Sequence, residues 1–140
     1  MMNNLKIEPE QDVFFLGIYL YGNNISIDDA SKLFGLTPTK FRNKGDKRVT
    51  STGTELVQEI GMWEYWIEVV DDDISKILLN VLQGAKGNNV VGQFGIEHAE
   101  VDILYPVMFF EEPRGFSFKI ARELIARISD LGMDLIITAR

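Results

Sequence analysis

The chain predicts an α+β domain: an antiparallel or mixed sheet of about four to five strands, with helices packed mainly on one face in a ferredoxin-like arrangement. Three observations point there. Strand-like and helix-like segments alternate in the order β, α, β, α, β, α, β, which calls for a layered sheet. The strands after the first alternate apolar with polar residues, whereas buried parallel strands read as continuous apolar runs. Three helices on one face leave the other face open. At 140 residues the chain has the size of one domain. No linker, repeat or low-complexity tract divides it, so residues 1–140 are read as a single domain. The polar residues 1–12 are expected to be loosely ordered.

Residues 13–21, VFFLGIYLY, form the first strand, rich in aromatic and β-branched side chains. Both of its alternating faces are apolar, so either Phe15, Tyr19 and Tyr21 or Phe14, Leu16, Ile18 and Leu20 can face the helices. Ser26 is placed to cap a helix carrying Asp28 and Asp29 in its first turn. Ile27, Ala30, Leu33 and Phe34 recur at helical spacing, and Gly35 and Pro38 end the helix. Residues 37–54 read as a long polar connection. Residues 55–70 read as extended, with Gly61 as a bulge or break. Asp71, Asp72 and Asp73 precede an amphipathic helix whose stripe is Ile74, Ile77, Leu78, Val81 and Leu82, and capping explains that triplet better than a metal does. In the third strand, 98–110, Val101, Ile103, Tyr105 and Val107 face one way, and His98, Glu100, Asp102 and Leu104 the other. Pro106 marks an edge or bulge, and EEPRG a turn. The last helix puts Ile120, Leu124, Ile125, Ile128 and Leu131 on one side and stops at Gly132. MDLIITA is the last strand.

Composition removes several function classes. With no Cys, disulfides, thiol catalysis and Cys-bound zinc are excluded. A single His speaks against imidazole metal sites. The net charge of −7 speaks against nucleic-acid binding and leaves basic partners open. The longest apolar run is too short to span a bilayer. Glu8, Glu10 and Asp12 stand before it, where a signal peptide needs positive charge. A cytoplasmic protein without membrane contact is expected. No phosphate-binding glycine motif and no serine nucleophile elbow occur, and no cofactor, metal site or catalytic residue is assigned.

The stretch GMWEYWIEVV, residues 61–70, holds two tryptophans three positions apart. Side chains on a strand alternate, so the two point to opposite faces. Trp63, Tyr65, Ile67 and Val69 form an unbroken apolar set, which assigns Trp63 to the core. Glu64, Trp66 and Glu68 then share the second face, joined by His98, Glu100 and Asp102 if the registers cooperate. These six residues form the candidate protein-contact face, since aromatic residues are enriched at interfaces. Cover by the chain's own loops and a small-molecule pocket are the alternatives. The four carboxylates match no calcium-loop spacing, and acidic alternation on a strand usually marks its solvated side.

A second candidate is basic. Residues 37–54 hold Lys40, Arg42, Lys44, Lys47 and Arg48 against Asp46, a net of +4 that leaves −11 on the rest of the chain. Such asymmetry suits an anion or a phosphate. A solvated loop that offsets the acidic body is the plainer alternative.

The segments LFGLTPTKFRNKGD, GMW and FSFKIARELIARISDLGMDLIITA resemble a bacterial family catalogued only as a domain of unknown function, a single α+β domain of similar length. The resemblance rests on Gly35, Leu36, Pro38 and Thr39, then Lys44, Gly45 and Asp46, then Gly61 and Trp63. Leu131, Gly132, Leu135 and Ile137 close the pattern. It implies the fold and a core position for Trp63, and it implies no activity. Small acidic bacterial domains of this kind are similar to immunity proteins that neutralise toxins, an analogy at the level of fold. The reading favoured is a non-enzymatic protein-binding module whose partner is another protein or a second copy. The alternative is a small-ligand or anion-binding domain.

Overall fold

The computed structural model describes residues 13–70, 73–105 and 118–139. Its elements run β1 (Val13–Gly22), α1 (Ile27–Phe34), β2 (Lys40–Arg42), β3 (Lys47–Val49), β4 (Glu55–Val57), β5 (Gly61–Val70), α2 (Ile74–Gln83), β6 (His98–Tyr105), α3 (Arg122–Asp130) and β7 (Asp134–Ala139). Five strands form one sheet in the order β2-β5-β1-β6-β7, and β3 and β4 form a separate hairpin. β1 is central and antiparallel to both neighbours, and among the described strands only β6 and β7 run parallel. This is the α+β mixed sheet that the pattern predicts. Its element order differs from the β-α-β-β-α-β order of a ferredoxin-like unit.

Two expectations are corrected. Residues 37–54 are not one polar loop, because β2 and β3 lie within them. Residues 55–70 are not one extended element, because the strand breaks at 58–60. Runs of three residues are too short to write a period into the sequence. Gly61 opens β5 where a Cβ would lie 2.7 Å from the Gly22 carbonyl oxygen and from Ile25 Cγ2.

The helices cover one face. Phe14, Leu16, Ile18 and Leu20 of β1 meet Trp63 and Val69 of β5 and Ala99, Val101, Ile103 and Tyr105 of β6 in a single core. In register, Ile18 stands between Tyr65 and Val101, and Leu16 between Ile67 and Ile103. Above them lie Ala30, Leu33 and Phe34 of α1, Ile74, Leu78 and Leu82 of α2, and Leu124 and Ile128 of α3. Ile125, expected on the inner side of α3, is exposed. The inward stripe runs through Leu124, Ile128 and Leu131, and one residue further on turns about 100° away from it.

The helix ends follow their caps. Ser26 Oγ accepts the Asp29 N–H, and Gly35 closes α1 at a φ of 67°. Asp73 accepts the Lys76 N–H at the start of α2. Its partners in the triplet, Asp71 and Asp72, lie outside the described residues, as do residues 1–12, Pro106, Val107 and the EEPRG turn. No helix among the described residues is long and apolar enough to cross a membrane.

Candidate protein-contact face

The face of the sheet away from the helices is set by strand register, because directly paired residues point the same way. Lys40, Glu64, Tyr19, Glu100 and Asp134 form one row across all five strands. Trp66, Gly17, Asp102 and Ile136 form the next. Glu68, Phe15 and Leu104 lie on one side of these rows, and Arg42, Met62, Tyr21 and His98 on the other. All six residues of the candidate face, Glu64, Trp66, Glu68, His98, Glu100 and Asp102, therefore stand on one surface.

The two tryptophans of β5 lie on opposite faces of the sheet, in separate environments. Trp63 is fully buried. Its ring stacks on Phe34 at 5.6 Å, and its Nε1–H donates to Ser31 Oγ at 3.0 Å. Trp66 is 43% exposed, and its backbone is tied to the Thr39 hydroxyl at the sheet edge.

Gly17 shapes the centre of the face. A Cβ there would lie 2.5 Å from Tyr19 Cε2 and 3.0 Å from its hydroxyl oxygen. The Tyr19 ring thus folds over the glycine, into the row between Trp66 and Asp102. Tyr21 lies beside it, with its ring 6.0 Å from that of His98.

The electrostatics are those of partial burial first and of clustered carboxylates second. Glu100 is only 9% exposed, and its Oε1 is 4.0 Å from His98 Nε2. Burial, the Glu100 charge and a hydrogen bond with Glu100 push the Asp102 carboxyl up to about 6. Asp102 Oδ1 is buried without a hydrogen-bond partner. Burial raises Glu64, against the pull of Lys40 and Arg42. Burial and then the neighbouring carboxylates raise the hydroxyl of Tyr19 and take that of Tyr21 to about 12. Burial is the largest cause of all four displacements, and neighbouring carboxylates add to those of Tyr19, Tyr21 and Asp102, where a nearby positive charge is favourable.

Among the described residues, no three His, Asp or Glu side chains converge to hold a metal ion. The five basic residues do not share one surface. Lys40 and Arg42 stand on the acidic face, at its edge. Lys44 sits in the turn before β3, and Lys47 and Arg48, being successive on a strand, point to opposite sides. Lys47 pairs with Glu55 at 3.8 Å, both exposed. A groove of about 560 Å³ lies elsewhere, lined by Ser26, Ile27, Ser31, Pro38 and Phe41 among others, and no residue of the open face borders it.

Sequence reasoning left the faces of β1 open and so did not commit Tyr19 and Tyr21 to this surface. The signal was Gly17. It interrupts the set Phe15, Tyr19, Tyr21, whereas Phe14, Leu16, Ile18 and Leu20 is unbroken and suits a core. That Lys40 and Arg42 join the face depends on the pairing of β2, which no local pattern encodes.

No family model, curated protein or solved structure matches the chain.

Proposed function

We propose that this protein is a non-enzymatic protein-binding module, immunity-like in kind, whose open sheet face holds a basic segment of its partner. One observation carries the reading: the register sets Glu64, Glu100 and Asp102 among Tyr19, Tyr21 and Trp66, with a buried carboxylate oxygen left unpaired. An arginine suits such a surface. Its planar fork satisfies carboxylate oxygens, and its face stacks on aromatic rings.

Titration with tetra-arginine amide, followed by tryptophan fluorescence, tests this. The peptide is expected to bind with an affinity that falls as salt rises. Tetra-glutamate is expected not to bind. Trp66→Ala and Glu100→Gln should weaken binding while the circular dichroism stays unchanged. Absence of binding, or binding that Trp66→Ala leaves intact, overturns the reading.

A further inference from the structure

Resting on that reading of the open face, we propose that Glu100 and Asp102 are its anchoring pair, holding one proton between them in mildly acidic solution and releasing it to solvent when a partner's arginine binds. Capture of the basic partner is thereby linked to pH.

The pair follows from register and burial. Glu100 and Asp102 stand two positions apart on β6, so both point to the open face. Glu100 is one of the few buried charged side chains, and its Oε1 lies 4.0 Å from His98 Nε2. Asp102 Oδ1 is buried without a hydrogen-bond partner among the described residues. Its neighbours across the sheet are Gly17 and Ile136, which offer neither a charge nor a side-chain donor. Asp102 and Glu100 bond to each other, and two carboxyl groups do so only when one of them carries a proton.

The charges that face the pair do not replace that proton. Glu64 and Glu68 stand on β5, Tyr19 and Tyr21 on β1, and Asp134 on β7. Lys40 and Arg42 stand on β2, three strands from β6. That is about 14 Å across the sheet, past the screening length at physiological salt. Burial favours the neutral acid as well, and the Asp102 carboxyl titrates at about 6. A guanidinium brings both the missing charge and a fork of donors for the carboxylate oxygens, so it competes with the proton. The ionised pair binds it more tightly than the protonated pair does. Affinity is therefore complete above pH 7 and falls as pH drops through 6.

Titration with N-acetyl tetra-arginine amide, whose own charge is constant from pH 5 to 8, tests the linkage. Tryptophan fluorescence reads binding at fixed ionic strength. The wild-type dissociation constant is expected to be level from pH 8 to 7 and to rise about tenfold from pH 7 to 5. Asp102→Asn is expected to bind more weakly at pH 8 and to change less than about twofold over the same range. His98→Gln is expected to keep the pH dependence. Calorimetry of the wild type at pH 6, in two buffers of different ionisation enthalpy, is expected to count about half a proton released per complex. That count decides the matter even if Asp102→Asn no longer binds. A pH dependence that persists in Asp102→Asn or vanishes in His98→Gln overturns the proposal, and so does the release of no proton. If the peptide binds equally at pH 8 and pH 5, only the linkage falls. If it binds at no pH, the reading of the face falls with it.

Discussion

Trp63 and Trp66 are separated by two residues and sit in different solvents. Truncating Trp63 removes the stack on Phe34 and the hydrogen bond to Ser31, so Trp63→Ala is expected to cost about 3–5 kcal/mol in urea unfolding. Trp66→Ala is expected to stay within about 1 kcal/mol, because its side chain is half in water. Asp102 gives a pH signature. Its carboxyl titrates near 6 in the folded chain, above the ordinary carboxylate range. The folded state therefore binds the proton more tightly, and stability falls as pH rises from about 4 through 6. Asp102→Asn keeps a polar group beside Glu100 and removes that loss. Thermal melts should show it more stable than wild type at pH 8, by roughly 1 kcal/mol once solvent screening is counted, and nearly equal at pH 4.

At the scale of elements, much was legible and some was not. The two faces of β5 and of the described part of β6 read correctly because a strand buried on one side writes a period of two into its residues. α1 and α2 read correctly because Ser26 and Asp73 cap stripes of matching phase. β2, β3 and β4 escaped because three residues carry no period, and their place comes from partners distant in sequence, such as Glu64 for Lys40. The sheet order was hidden for the same reason. Arg127, half-buried on α3, was also missed as a structural residue. Its guanidinium donates to the carbonyls of Leu82 at 3.3 Å, Ala85 at 2.9 Å and Gly87 at 3.4 Å, and to Asn88 Oδ1 at 3.3 Å. It thereby satisfies the open end of α2. Arg127→Ala is expected to cost about 2 kcal/mol in urea unfolding, and Arg127→Lys to recover little, because a point charge cannot span the four acceptors. Gly22 is equally constrained, since a Cβ there would run into the Gly95 carbonyl. Gly22→Ala should lower the melting temperature sharply for so small a change.

For the whole molecule, the organising fact is that one sheet face is packed and the other carries charge. The helices spend their apolar stripes on the first, and nothing in them is left to cover the second. The candidate residues were legible as a set because alternation put each trio on one side of its strand. That the trios meet is a property of register. The same register brings Lys40 and Arg42 to the edge and leaves the interior of the face to carboxylates and aromatic rings. On the reading proposed above, it is a basic segment of a partner that completes that surface.

The measurement that tests this most directly is quenching of tryptophan fluorescence by caesium and by iodide at matched ionic strength. Trp66 on an acidic open face should be reached by the cation far better than by the anion, with Trp63 dark to both, and Trp66→Phe should abolish the accessible signal. Equal quenching by the two ions, stronger quenching by iodide, or two inaccessible tryptophans would contradict it.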